Sequence, residues 1–341
     1  MTRTKKIAII CKMNIKNTCP FFKICGGCLY QDMPEEDYIQ KKENFIRRAF
    51  QDYGLQISLE PILSVPLYSR RRACFAYEKG KLGYNALKSH KIVEITDCLL
   101  LKQTITSFLP TLRSWIKTLG GIGDVFILDT PYGLDIHIKP KKNEPLSLTK
   151  RETLAQMGNN EQIVRLIYNQ EPIVSKAHLP IWPDAFLQPS QEGEDLLVRL
   201  MLSYIKDEKK AVDLFCGSGT FTNPLLKKGI KVTGYDCATD SVNLLGQNGV
   251  VRDLFRSPLL PEELKGLDLV VLDPPRSGAR LQTEQIAQTS IPKIIMISCN
   301  PQTAVRDIKI LIDNGWHLKQ VTPVDQFKWS NHIELVCLLE R

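Results

Sequence analysis

Residues 297–303 read I-S-C-N-P-Q-T. An apolar run, 294–297, leads into them, so Cys299 sits where a strand gives way to a loop. A thiol in that place can be a nucleophile if its pKa is lowered or a base is near. The plainer alternative is a packed structural cysteine. A second such place is L-D-P-P-R-S-G from residue 272, where Asp273 ends an apolar strand. Its two prolines fix φ and stiffen the exit, and rigid loops at strand ends suit substrate contacts. A third is V-D-L-F-C-G-S-G-T-F, which places Gly217 and Gly219 directly after a strand. Glycines there let the backbone turn tightly and approach a ligand. The stretch lacks the Gly-Lys-Ser/Thr ending of a phosphate loop and the full dinucleotide fingerprint. The next apolar run ends at Tyr235, and Asp236 follows it, placed to accept hydrogen bonds from ribose hydroxyls. Asp253 is a further acid at a strand end, suited to the adenine side, and Asp213 can support the glycine loop.

The elements that must position these residues follow from the pattern around them. Apolar runs at 211–215, 230–235, 267–272 and 293–298 are separated mostly by helical stretches, notably 302–314. Alternation of this kind predicts a mostly parallel sheet with helices on both faces. The ligand then lies outside the carboxyl ends of the strands. The interval between Asp236 and Asp253 is short, which predicts a stubby third strand, and 332–339 predicts a last strand. Upstream, 192–205 reads as an amphipathic helix and 180–183 as a boundary. From 59 to 174 the pattern favours short strands with turns, including a hairpin of 125–128 with 134–138 around Pro131 and Gly133. Residues 35–50 read as a helix and 19–31 as a tight knuckle.

The knuckle holds Cys19, Cys25 and Cys28 in C-x5-C-x2-C spacing, and Cys98 follows in T-D-C-L-L. This is not a zinc-finger pattern, and four thiolates suit either zinc or an iron–sulfur cluster. Arg70, Arg71 and Arg72 follow a Pro-Leu-Tyr turn, with Phe75 and Tyr77 beyond. Basic residues contact phosphates and aromatics stack on unpaired bases, so this run is a candidate RNA contact.

The totals fit that partner. The 341 residues carry a net charge of +8, and residues 1–100 hold 17 Lys+Arg against 10 Asp+Glu. A basic excess confined to one third of the chain suggests a polyanion. Hydrophobic residues make up 43%, enough for two or three folded cores. No run approaches a membrane helix, and the N-terminal apolar run is too short for a secretory signal, so a cytoplasmic protein is expected. Ten cysteines in a chain of this length do not suggest a secreted disulfide scaffold.

Together, D-L-F-C-G-S-G-T-F, L-D-P-P-R-S-G, I-S-C-N-P-Q-T and the late N-H-I-E resemble the RNA uracil-C5-methyltransferase family, whose members form 5-methyluridine in ribosomal or transfer RNA. The resemblance runs from Cys19 to Glu340 with the motifs in order. It implies a class I methyltransferase fold, Rossmann-like α/β, using S-adenosyl-L-methionine, with an N-terminal iron–sulfur segment and a β-rich central domain. It implies three domains: a cysteine segment (1–34), a central RNA-binding domain (35–180) that contributes Cys98, and a catalytic domain (181–341). It further implies that Cys299 attacks C6 of uracil, that C5 then takes the methyl group, and that Glu334 is the base removing the C5 proton. By the same resemblance Gln188, Phe215, Gly217, Gly219, Thr220, Asp236 and Asp253 contact the cofactor, and Asp273 lies beside its methyl group and the target uracil. Cys19, Cys25, Cys28 and Cys98 match the residues that hold a [4Fe-4S] cluster.

Two positions depart from the pattern. Ser190 stands where asparagine is frequent, and Asp236 replaces the more usual glutamate, one methylene longer. Residues 1–18 are too few for the small N-terminal barrel that many relatives carry. The cluster cysteines argue against the transfer-RNA branch, so 23S ribosomal RNA is the expected substrate, the uridine is left open, and a monomer is expected. The alternatives are 5-methyluridine formation in transfer RNA, a base-amino methyltransferase that would not need Cys299, and a non-catalytic RNA-binding metalloprotein.

Overall fold

The structure is a computed structural model that describes residues 19–142, 145–179 and 187–341. The expected boundary at 180–183 and the expectation for residues 1–18 lie outside the described residues. After the knuckle, helix α1 (Glu35–Gln51) leads to a short strand β1 (Leu63–Ser64). Strands β2 (Arg72–Glu78), β3 (Lys81–Asn85) and β4 (Ile92–Val93) precede helix α2 (Gln103–Leu119) and the hairpin β5 (Ile122–Thr130) with β6 (Gly133–Pro140). Helix α3 (Leu148–Gly158), β7 (Ile163–Tyr168) and β8 (Glu171–Ser175) complete this region. The C-terminal part begins with helix α4 (Gln191–Ser203) and β9 (Lys210–Leu214), then α5 (Thr222–Lys227), β10 (Lys231–Asp236), α6 (Thr239–Asn243) and the three-residue β11 (Gly249–Val251). Strand β12 (Leu269–Leu272), α7 (Arg280–Ala287), β13 (Lys293–Ser298), α8 (Pro301–Asp313), β14 (His317–Asp325) and β15 (Glu334–Glu340) finish it.

Two sheets result. The larger runs β1-β14-β15-β13-β12-β9-β10-β11, and only β15 is antiparallel to its neighbours. Its order reverses between β9 and β12, which opens a crevice above their carboxyl ends. Strands β12 and β13 are buried along their whole length, as their unbroken apolar runs require. The smaller sheet runs β4-β3-β2-β5-β6-β7-β8 and is antiparallel apart from β6 with β7. This is the doubly wound α/β methyltransferase fold that the motifs imply, with a second, mixed domain, and the stubby third strand is β11.

The region 59–174 differs from the expected run of short strands, because it contains α2 and α3. Along α2, Pro110 and several β-branched residues oppose a helix locally. The apolar positions Ile105, Phe108, Leu109, Leu112, Trp115 and Ile116 nevertheless form one buried stripe at helical spacing, and packing against the small sheet prevails. Helix α1 and strand β1 also fall outside a central unit starting at residue 35. Ile46, Ala49 and Phe50 of α1 are buried in the core of the larger sheet, and β1 pairs with β14. Among the described residues no helix is long and apolar enough to cross a membrane.

Candidate active site

The turn after β9 is shaped for a ligand. Phe215 lies at φ +63, a strained value for a side chain with a Cβ, and Gly217 at φ +53 faces open space. Gly219, at φ +93, is a glycine for packing as well, since a Cβ there would stand 2.4 Å from Leu245 Cδ2. Asp236 ties this turn to β10. Its Oδ2 accepts from Gly217 N–H at 3.0 Å and its Oδ1 from Ala238 N–H at 2.9 Å. Each oxygen keeps a lone pair for a ribose hydroxyl. Beneath the turn, Thr222 donates to Asp213 Oδ2 at 2.6 Å, and burial pushes the Asp213 carboxyl up to about 7. Asp253 stands just past β11, where its Oδ1 accepts from Phe255 N–H at 3.0 Å. The Phe255 ring meets that of Phe215 at 5.3 Å, so an apolar wall lies between Asp253 and the glycine loop. Thr220 is half-buried within the turn.

The candidate reacting groups lie further along the same edge of the sheet. Ser298 pairs with Leu335 in the antiparallel ladder of β13 and β15, so Cys299 leaves β13 opposite Glu334. Asp273 leaves β12 on the other side of β13. Their electrostatics show the proximity. Burial pushes the Cys299 thiol up to about 11, and the Glu334 and Asp273 carboxylates add to the rise. Burial raises Glu334 to about 7, opposed by Arg276, and raises Asp273 well above the usual carboxylate range, with Glu334 the next cause. A buried carboxyl near neutrality is suited to proton transfer.

Arg276, from the D-P-P-R-S-G loop, is the cation over this group. Its carbonyl accepts from Asn300 Nδ2 at 2.9 Å and Thr303 Oγ1 at 3.0 Å, which latches the loop to the start of α8. Its guanidinium lies 2.8 Å from Nδ1 of His332, and burial with three nearby cations keeps that imidazole's pKa low. Reading the sequence passed over Arg276 although it stands inside the quoted motif. It passed over His332 too, which stands inside the quoted N-H-I-E segment, and Thr222, which only the packing brings beneath the turn.

Gln188 reaches the same end of the sheet from the segment before α4. It is buried, and its Oε1 accepts from Gln326 Nε2 at 3.0 Å. Ser190 is the N-cap of α4, its Oγ accepting from Gly193 N–H at 3.0 Å, work that an asparagine does equally well.

The three arginines separate. Arg71 is buried, pairs with Glu194 at 2.5 Å and donates to the Gln188 carbonyl at 3.1 Å. This corrects the expectation of an RNA contact there: Arg71 fastens β2 to the start of α4. Arg72 donates to the Leu187 carbonyl at 2.7 Å and so braces the same segment. Arg70 is half-buried, its guanidinium 5.4 Å from the centre of the Phe327 ring.

The four cysteines gather beside Arg70. Burial pushes Cys28 up to about 12, and Cys98, Cys25 and Cys19 raise it further. Gly27 N–H donates to Cys25 Sγ at 3.4 Å, and burial raises the Cys98 thiol, opposed by the backbone amides of Leu100 and Leu101. Gln31, in the same knuckle, accepts from Cys19 N–H at 2.9 Å. Among the described residues no three His, Cys, Asp or Glu side chains converge as a single metal ion requires. The expected metal site at Cys19, Cys25, Cys28 and Cys98 is therefore not shown by the described residues, whose thiols lie near one another without forming a coordination sphere.

Comparison with known proteins agrees with this geometry. A family model described as tRNA (Uracil-5-)-methyltransferase matches residues 262–341. An uncharacterized RNA methyltransferase of Agrobacterium fabrum is 35% identical over 93% of this chain and 82% of its own length. The 23S rRNA (uracil(1939)-C(5))-methyltransferase RlmD of Dichelobacter nodosus is 29% identical over 95% of this chain and 84% of its own. Among solved structures, the Pyrococcus abyssi tRNA (uracil-54, C5)-methyltransferase in complex with S-adenosyl-L-homocysteine superposes with a TM-score of 0.70 at 20% identity, covering 95% of this chain and 87% of that one.

Proposed function

The chain belongs to the RNA uracil-C5-methyltransferase family, and on that premise we propose that it methylates C5 of a uridine in 23S ribosomal RNA through a covalent bond from Cys299 to C6. The observation that carries the reading is the meeting of Cys299, Glu334 and Asp273 beside the glycine loop. C5 of uracil is a weak nucleophile. Attack by the Cys299 thiolate, formed when the thiol loses its proton, makes the S–C6 bond and moves the C5–C6 electron pair toward O4, which makes C5 nucleophilic. C5 then bonds to the methyl carbon supplied by S-adenosyl-L-methionine, whose sulfur leaves as the neutral thioether. Glu334 takes the C5 proton, the C5–C6 double bond re-forms, and the Cys299 thiolate departs. Arg276 sits where it offsets negative charge on the thiolate and on Glu334. A uracil within a duplex is out of reach, so the target base is unpaired or extruded.

Ribosomal RNA is favoured over transfer RNA by the Dichelobacter relative, which aligns over nearly the whole chain, and by the four cysteines. The thiols suit a [4Fe-4S] cluster held by Cys19, Cys25, Cys28 and Cys98. A cluster spans more space than one ion, and backbone N–H donors to sulfur favour thiolate. The four cysteines are half-buried, and a cluster bound among them would hold them as thiolates. Its contribution when bound is structural, since uracil methylation requires no electron transfer. Anaerobic reconstitution is expected to load about four irons and four sulfides per chain. Cys98→Ser is expected to lower that loading, and uptake of one zinc with no iron would overturn the cluster.

The reaction is tested with ribosomal RNA fragments carrying 5-fluorouridine. Fluorine leaves no C5 proton to remove, so a methylated covalent adduct is expected to persist on a denaturing gel. Absence of any adduct, with cofactor binding intact, would reject uracil-C5 chemistry. Parallel transfer-RNA fragments decide between the two substrates.

A further inference from the structure

The loop leading into Glu334 is fastened from behind by α1 through a buried polar network that the chemistry itself does not use. Asp325, the last residue of β14, is 0% exposed, and Lys42 of α1 is 4% exposed. Lys42 Nζ donates to Asp325 Oδ1 at 2.6 Å and to the His332 carbonyl at 2.6 Å. The Tyr38 hydroxyl donates to Asp325 Oδ2 at 2.7 Å and accepts from Trp329 N–H at 2.7 Å. Two side chains of one helix thus hold the loop at its beginning, middle and end. The end point, His332, is two residues from Glu334. On the other side, the N–H groups of Leu29 and Tyr30 both donate to the Trp329 carbonyl, at 2.7 and 3.2 Å. Trp329 itself is held at φ +60, a conformation that persists only where surroundings impose it.

A buried lysine–aspartate pair is a weak source of stability, because desolvation offsets its attraction and an apolar pair often packs as well. Such a pair does fix geometry, since hydrogen bonds are directional: Asp325 Oδ1 accepts from both Lys42 and, at 3.2 Å, the Phe327 N–H within the loop, while Oδ2 accepts from Tyr38. Proton removal from C5 needs Glu334 placed to within a fraction of an ångström. We propose that Lys42 and Tyr38 are positioning residues that set Glu334 for the proton-removal step. The proposal rests on the base role given to Glu334 above. The knuckle, gripping Trp329 from outside, makes the thiol corner part of the same brace.

Two variants test this. Tyr38→Phe removes only the hydroxyl. The double variant Lys42→Met/Asp325→Leu removes both charges together, so that neither is left buried and unpaired. Both are expected to bind S-adenosyl-L-methionine as the wild type does and to trap 5-fluorouridine RNA. On ordinary RNA kcat is expected to fall about 10- to 100-fold with KM little changed, and unresolved adduct to accumulate. Amide hydrogen exchange is expected to quicken in 326–334 and not in β13. Folded variants with wild-type kcat, no accumulated adduct and an equally protected loop would overturn the proposal. Should the wild type itself never trap 5-fluorouridine RNA, the covalent reading falls and exchange alone judges the brace. Faster exchange in both variants then upholds it, and unchanged exchange sinks it.

Discussion

A Glu334→Gln variant is expected to stop after a single methylation, with the RNA held on Cys299. The glutamine keeps the shape of the side chain and its place opposite Cys299, but it cannot accept the C5 proton. Attack by the thiol and methyl transfer precede the need for a base, so both proceed. Turnover is expected to fall about 10²- to 10⁴-fold, the usual worth of a general base. Ordinary uridine RNA then gives the gel-stable adduct that the wild type gives only with 5-fluorouridine. Normal turnover with no adduct would remove Glu334 from the mechanism. The wild type carries a matching pH signature. Burial holds the Glu334 carboxyl up at about 7, and it must be ionised to take the proton. The resolution step is therefore slow below neutrality, quickens as pH rises through about 7, and levels off above. Arg276 pulls that carboxyl down, so Arg276→Ala is expected to move the midpoint upward.

The Cys299→Ala variant is expected to lose methylation altogether, by about 10⁴-fold or more, the scale of losing a covalent nucleophile. Neither uridine nor 5-fluorouridine RNA should then form an adduct. Cofactor affinity should stay unchanged, because the glycine loop and Asp236 stand on other strands. Retained activity would support an amino-group methyltransferase instead. The resting thiol has its own signature. Burial, then Glu334 and Asp273, hold it up at about 11, so alkylation by iodoacetamide at neutral pH is expected to be slow. It should quicken when either carboxylate is replaced by its amide.

The motif-bearing strand ends of the large sheet were legible because each signal is local. Gly217 and Gly219 follow an apolar run, Asp273 and its prolines end another, and Cys299 ends a third. Parallel strands buried on both faces read as unbroken apolar runs, so β12 and β13 stand out. The small domain was less legible. Its helix α2 carries Pro110 within a stripe whose helical character shows only when summed over the whole segment. The arginine run misled in part, since whether a guanidinium meets solvent or Glu194 depends on a segment about 120 residues away.

Which groups stand at the ends of which strands, and hence the chemistry open to this protein, is written locally along the chain. Covalent spacing and strand patterning suffice for that. Tertiary structure decided how those groups act on one another. Cys299 faces Glu334 because β15 returns antiparallel beside β13, a register that no local signal encodes. The raised carboxyls arise from burial that the assembled sheet imposes. The brace on Glu334 joins Lys42 to Asp325 across 283 residues. Long-range pairing of this kind is fixed by the packing of α1 against the large sheet, and it becomes visible only once that packing is seen.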